Sequence, residues 1–258
     1  MTCWRLAALA LCALAAWSLG DANTARADDI VVSADALAGP LQSAAGTGLD
    51  GRYYYNRLGM VVNDTTTIAD MRASIQAANP GLQGTFRGFR LNWTGQDTTA
   101  VNSYMGADGA SLTPSITHAV NTSYWDMTGY INIAQPGKYT FHTNSDDASF
   151  VLIAGQQVVN NGTTHGGQDA TGTATFHAAG LYPIEILYSN QDFFNNGMVS
   201  QGGGNLTYNS TVPGDAATGN HTALYSGSVV PEASSLSLAG LGIVSLLGYA
   251  LRRRNRNA

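Results

Sequence analysis

The strongest constraint in this 258-residue chain is a hydrophobic period of two, carried in short runs that glycine interrupts. Tyr139, Phe141 and Thr143 alternate with Thr140 and His142. Ala174, Phe176 and Ala178 lie opposite Thr173, Thr175 and His177, and Tyr182, Ile184, Ile186 and Tyr188 make one face of a later run. Successive side chains of an extended strand point to opposite faces, so each run buries one face and wets the other. Between the runs stand Pro136-Gly137, Gly155, Asn161-Gly162, Gly166-Gly167 and Ala179-Gly180, which mark turns. Short strands at such spacing suggest an antiparallel sandwich or barrel. One segment, 65–78, has helical spacing instead: Ile68, Met71, Ile75 and Ala78 share a face, and Thr67 with Asp70 resembles a capping box. Asn79-Pro80-Gly81 stops it. The pattern predicts a mainly β chain, an antiparallel β-sandwich with one short helix.

The two ends follow other rules. Arg5, an apolar run from Leu6 to Leu19 and Ala25-Arg26-Ala27 have the order of a secretory signal peptide over residues 1–27. That run is shorter than the roughly 20 residues a bilayer-spanning helix needs. Both cysteines, Cys3 and Cys12, fall inside the expected signal peptide 1–27, so the chain beyond has neither disulfide nor thiol nucleophile. Residues 28–47, rich in Ala, Gly, Ser and Asp, read as an extended leader. At the other end, Val230-Pro231-Glu232-Ala233 precedes an uncharged stretch over 233–251, then Arg252, Arg253, Arg254 and Arg256. As a helix that stretch spans about 28 Å, close to the hydrocarbon thickness, and the arginines of 252–256 would stay cytoplasmic.

Charge narrows the function classes. Charged residues make up 11% of the chain, against about 25% in an average globular protein. Residues 28–230 carry 15 acidic and six basic side chains, with Lys138 the only lysine. Nucleic acid needs clustered cations, so it is excluded as a partner. His118, His142, His165, His177 and His221 lack metal-ligand spacing, and there is no nucleophile elbow or phosphate loop. Glu185, the only glutamate within 28–230, has no evident carboxylate partner for glycosidase chemistry.

Two segments resemble known families. The order Val230-Pro231-Glu232, small-residue-rich apolar helix and Arg252-Arg253-Arg254 resembles the PEP-CTERM sorting signal of Gram-negative bacteria, with Ala233 in place of the second proline. The resemblance implies transient membrane insertion over 230–258, processing by an exosortase, and an association with extracellular polysaccharide and biofilm. Residues 48–226 resemble the protective-antigen (PA fourteen) β-sandwich domain. The match is carried by Leu49-Asp50-Gly51-Arg52-Tyr53-Tyr54, by Tyr124 to Ile133, and by Gly137-Lys138-Tyr139-Thr140-Phe141 leading to Ser145-Asp146-Asp147. Phe150 to Gly155, the loop Val158 to His165, Gly180-Leu181-Tyr182-Pro183-Ile184 and His221 to Tyr225 follow in the family's order. Ala148 and Ala154 depart from its usual glycine and aspartate, and the insertion 57–122 is longer than a minimal member has.

That resemblance locates a candidate site. Adjacent carboxylates repel each other unless a cation or hydrogen-bond donors compensate, and Ca²⁺ takes about six to eight oxygen ligands, carboxylates above all. In the family's fungal adhesins the paired aspartates, joined by a cis peptide bond, hold Ca²⁺ that binds sugar hydroxyls. The resemblance therefore implies Asp146 and Asp147 as metal ligands; the bland alternative is that they cap a turn. Composition adds Asn190, Asp192 and Asn195 from the stretch after Tyr188 as oxygen donors, and Phe193 and Phe194 as sugar-stacking rings. Trp93 and Trp125 are expected in the core. The expectation is an exported, non-enzymatic envelope or matrix protein that binds a glycan through Ca²⁺. A purely structural matrix protein and a carbohydrate-active enzyme are the alternatives.

Overall fold

The computed structural model describes residues 29–56, 67–78, 80–96, 98–120, 122–191, 194–195, 198–199, 203–211 and 223–227. The expected signal peptide, the 233–251 helix and the sorting residues Val230, Pro231, Glu232, Arg252, Arg253 and Arg254 lie outside these.

Two sheets face each other. The larger runs β3 (Pro80–Gly88), β2 (Leu49–Asn56), β5 (Ser123–Ile133), β10 (Gly180–Asn190), β7 (Ser149–Ile153), β8 (Gln156–Asn161). The short β14 (Leu224–Tyr225) joins β5 at Tyr130 and Ile131, beyond the reach of β2. The smaller sheet runs β1 (Ile30–Val32), β9 (Gln168–Phe176), β6 (Gly137–Asp146), β13 (Gly203–Thr211), β4 (Asn92–Gln96). The alternation read from sequence sets the inner faces. Tyr139 and Phe141 of β6, with Ala174 and Phe176 of β9, are buried in one core with Tyr182, Ile184, Ile186 and Tyr188 of β10. At the β8–β9 edge the sheets close on each other. A Cβ at Gly172 would stand 1.6 Å from the Val158 carbonyl oxygen, so only glycine permits that approach.

The centre of the core is aromatic. Trp125 stacks against Tyr188, at 4.8 Å, and Tyr104, at 5.8 Å, both rings inclined 22° to it, and Trp93 stands 5.6 Å away. All four are fully buried. Pairs of this geometry contribute about 0.5–1.5 kcal/mol each beyond the area they bury.

The expected helix is present as α1 (Ile68–Ala77), and its N-terminus forms the capping box read from sequence: Asp70 N–H donates to Thr67 Oγ1 and Thr67 N–H to Asp70 Oδ2. It covers the outer face of the large sheet. Met71 and Ala78, with Ile68 and Ile75 beside them, pack on Tyr124, Phe150, Leu152 and Leu187. This is why β7 and β10 are apolar on both faces. Ala148, one of the departures from the family pattern, is buried in this second cluster.

Three expectations need correction. Among the described residues the insertion holds two further α-helices, α2 (Val101–Tyr104) and α3 (Gly106–Gly109). At four residues each they are too short to show a period. The leader is more than an extended arm, because β1 pairs in parallel with β9 and Gly39 bridges Leu181. The segment expected as a loop from Val158 begins as strand, since β8 continues to Asn161.

Asp108 of α3 holds the insertion to the sandwich. Its carboxylate is 1% exposed. It accepts the backbone N–H groups of Phe89 (2.9 Å), Arg90 (3.0 Å) and Leu91 (2.9 Å), and the indole N–H of Trp93 (3.0 Å). One buried carboxylate thus sets the β3–β4 turn and Trp93 together. Asp108→Ala leaves several of these donors buried without an acceptor. It is expected to cost about 3–5 kcal/mol, read as a lower urea midpoint at unchanged m-value.

Candidate functional site

β6 ends at Asp146, and the Asp146–Asp147 peptide bond is cis, as the sequence resemblance implies. The two side chains part ways. Asp146 continues the outward row of β6 after His142 and Asn144, and stands opposite Asn205 of β13. Asp147 turns inward and is 3% exposed.

Backbone donors surround Asp147. Its Oδ1 accepts the N–H of His165 at 3.0 Å, and its Oδ2 accepts the N–H of Gln191 at 2.6 Å. Its own N–H donates to the Ser189 carbonyl at 3.0 Å, and Ser189 N–H returns to Ala148 at 2.9 Å. One carboxylate therefore ties the 162–167 loop and the chain leaving β10 to the end of β6. The turn-capping role weighed as the alternative is real, and it links three segments rather than one.

Beneath the pair runs a hydrogen-bonded chain. The Tyr188 hydroxyl donates to the Asp146 carbonyl at 2.7 Å, which leaves it to accept from the Tyr104 hydroxyl. Burial pushes the Tyr188 phenol well above its usual range, with Tyr104 and the two aspartates adding to the rise, so it stays a neutral donor. Behind Asp147 is a buried polar cluster. Asn161 Nδ2 donates to Ser145 Oγ (2.8 Å) and to the Gln168 carbonyl (2.9 Å), and Ser149 Oγ donates to Thr143 (2.9 Å). These groups hold the strand ends rigidly below the aspartates.

Of the other expected site residues, Asn190 needs correction. It is the last residue of β10, pairs with Ser123 in the ladder and is 2% exposed, so it is a packed strand residue rather than a loop donor. A Cβ at Gly204 would come within 2.8 Å of the Asn190 amide and 2.7 Å of the Tyr104 hydroxyl, which shows how tightly β13 closes over it. Asp192 and Phe193 lie outside the described residues. Phe194 and Asn195 form β11 (Phe194–Asn195), which pairs with β12 (Met198–Val199); their side chains lie outside the described set. Trp93 and Trp125 are core, as expected. Among the described residues no group of three or more His, Cys, Asp or Glu is placed to hold a metal ion. Oxygens beyond Asp146 and Asp147 would have to come from amides, hydroxyls or backbone carbonyls. Sequence reasoning missed the backbone N–H groups of His165 and Gln191. A main-chain donor leaves no mark in the sequence; only the glycines around His165 hinted at a shaped loop.

Glu185 also differs from expectation. Asp126 is its carboxylate neighbour, and both sit on the outer face of the large sheet, Arg72 pairing Glu185 at 2.6 Å and Arg52 approaching Asp126 at 4.0 Å. Burial first, and Glu185 second, push the Asp126 carboxyl up; Arg52 and Arg72 offset part of this. A carboxyl whose pKa rises on folding stabilises the fold below its unfolded value of about 3.8 and loses that contribution as pH climbs through the folded value. Asp126→Asn is therefore expected to raise the melting temperature at pH 7. The gain over the unmodified chain should shrink as pH falls toward 4, as thermal melts across that range would register.

Similarity to known proteins follows the same outline. The PA14 domain model matches residues 59–194, and the PEP-CTERM protein-sorting motif matches residues 229–254. The PA14 sugar-binding domain from an RTX adhesin is 24% identical, covering 70% of this chain and 99% of that one at a TM-score of 0.56. The PA14 domain of the antifreeze protein MpAFP is 17% identical, covering 72% and 94% at 0.57. The A domain of epithelial adhesin 9 from Candida glabrata, solved with Galβ1-4GlcNAc, is 14% identical, covering 76% and 98% at 0.53. At these identities the likeness shows the fold. Curated protein sequences yield no match.

Proposed function

Because the chain belongs to the PA14 domain family and ends in a PEP-CTERM protein-sorting motif, we propose that it is an exported, non-enzymatic binding protein of the cell envelope or extracellular matrix. It holds a glycan through a Ca²⁺-assisted site at Asp146 and Asp147. The observation that carries this reading is the placement of the pair: Asp146 half-buried on the outward row at the end of β6, and Asp147 buried directly beside it with its backbone locked to Ser189. Rigid, adjacent carboxylates at a strand end suit a cation of flexible coordination such as Ca²⁺. A bound cation in turn offers vacant positions to sugar hydroxyls. The RTX adhesin's sugar-binding domain and the fungal adhesin solved with a disaccharide support this for the fold they share with this chain.

The sorting motif supports delivery to the envelope with processing by an exosortase, and extracellular polysaccharide is the partner class such a location offers. An enzyme reading draws less support. Asp126 and Glu185, the carboxylates that approach each other on the large sheet, are each drawn toward an arginine, whereas glycosidase chemistry needs a pair facing a bound sugar.

Calorimetry of the full-length chain with CaCl₂, and then with Galβ1-4GlcNAc, tests the reading. Ca²⁺ is expected to bind and to raise the melting temperature, since a ligand at about 100 times its Kd stabilises by about 2.7 kcal/mol. Asp146→Asn, which keeps the shape and removes the charge, is expected to weaken Ca²⁺ at least about tenfold, or about 1.4 kcal/mol. Chelation should abolish sugar binding. Equal Ca²⁺ responses in the two proteins would remove the idea.

A further inference from the structure

The outward side of the small sheet carries a feature that extends well beyond the aspartate pair. A hollow of about 480 Å³ begins at Asp146 and runs over Thr94 and Asn205. A larger one, about 730 Å³, is lined by Phe89, Arg90 and Asn209. Both include Asn92 and Thr207, so they form one continuous trough along β4 and β13. Its floor is a ladder of facing pairs, Asn205 opposite Thr94 and Thr207 opposite Asn92. Asn205 to Asn209 alone extends about 14 Å at the strand rise.

The far end of the trough differs in kind from its floor. Phe89 is 49% exposed, whereas Phe86, Phe141, Phe150 and Phe176 are buried. Its ring lies against the backbone of Gly48, which has φ +75°; a Cβ there would be 3.1 Å from the ring. Arg90 is exposed beside it. Among the described residues Arg52, Arg72, Arg87 and Lys138 each approach a carboxylate, and Arg90 makes no ion pair. The backbone N–H groups of both Phe89 and Arg90 are held by Asp108, so the two side chains are presented from a fixed turn.

We propose that this trough binds an extended polysaccharide that carries carboxylate groups, with amides and hydroxyls of β4 and β13 meeting its hydroxyls, the Phe89 ring stacking on a sugar face and the Arg90 guanidinium pairing with a uronate. Asn and Thr both donate and accept hydrogen bonds, which suits the two-way bonding of sugar hydroxyls. A guanidinium with no ion pair of its own, on a strongly acidic domain, selects an anion, and its fork matches a carboxylate. A protein partner fits less well, because a single half-exposed ring does not supply the apolar centre of such an interface. The proposal rests on the glycan-binding reading above and deepens it: the aspartate pair is one anchor of a longer site, and the ligand class is an acidic, linear chain.

Calorimetry of the full-length chain in CaCl₂ tests this, with mannuronate oligomers of two and six units and a six-unit cello-oligosaccharide as the probes. The six-unit uronate is expected to bind more tightly than either comparator. Phe89→Ala is expected to weaken the six-unit uronate by about tenfold, or about 1.4 kcal/mol, while leaving the two-unit form unchanged. Arg90→Gln should erase the preference for the uronate over the neutral chain, and Arg90→Lys should restore part of it. Equal affinities for two and six units, wild-type affinities in both the Phe89 and Arg90 variants, or no oligomer binding at all would overturn the trough. Asp146→Asn separates the two readings through the heat of Ca²⁺ binding. If that heat is lost while the Phe89 and Arg90 variants bind normally, the cation site stands and the trough falls. If it persists while those variants lose the six-unit chain, the trough stands and the cation site falls.

Discussion

The stacking of Trp125 with Tyr104 and Tyr188 is the contact on which the rest of this molecule depends. Each ring comes from a different part of the chain: α2 of the insertion, the start of β5 and the end of β10. Because Tyr188 also donates to the Asp146 carbonyl, the stack that fills the core fixes the height and direction of the strand end bearing the aspartates. A flat, rigid ring has few internal rotations to lose, so placing a site on buried aromatics costs little conformational entropy. Core and site are therefore one mechanical unit.

Two buried carboxylates extend that unit toward solvent by the same physical means. Asp108 collects donors from the turn after β3 and from Trp93; Asp147 collects them from the 162–167 loop and from the chain leaving β10. A buried anion is tolerated only when donors compensate it, and main-chain N–H groups are the donors that loops have to spare. The outcome is that the two ends of the outer trough are both held by aspartates. Asp147 stands behind Asp146 at one end, and Asp108 holds Phe89 and Arg90 at the other.

Much of this was legible from residues alone. The alternation in β6, β9 and β10 identified the inward-facing side chains correctly, since a period of two survives whatever the strands pack against. The capping box at Thr67 and Asp70 is local and was equally readable. Other parts were hidden for definite reasons. α2 and α3 are too short to show a period, and β1 joins by parallel pairing with residues far along the chain, for which no turn signal exists. Asn190 reads as a polar loop residue, yet β10 runs one register step further and buries it opposite Ser123. The Asp126–Glu185 approach joins two strands through pairing that is invisible before the sheet is assembled.

The residues read alone establish the alphabet of this protein: short amphipathic strands, one capped helix, a cysteine-free middle domain followed by a sorting motif, and the aspartate pair. These follow from periodicity, composition and adjacent residues, all of which are local. Only the tertiary structure decided what lies beside what. It set which N–H groups reach Asp147, that Arg90 makes no ion pair while the other described lysine and arginines approach carboxylates, and that Asp146 and Phe89 open onto one trough. Those are distances between residues far apart in the chain, set by strand register and by the packing of one sheet on the other, which no single segment encodes.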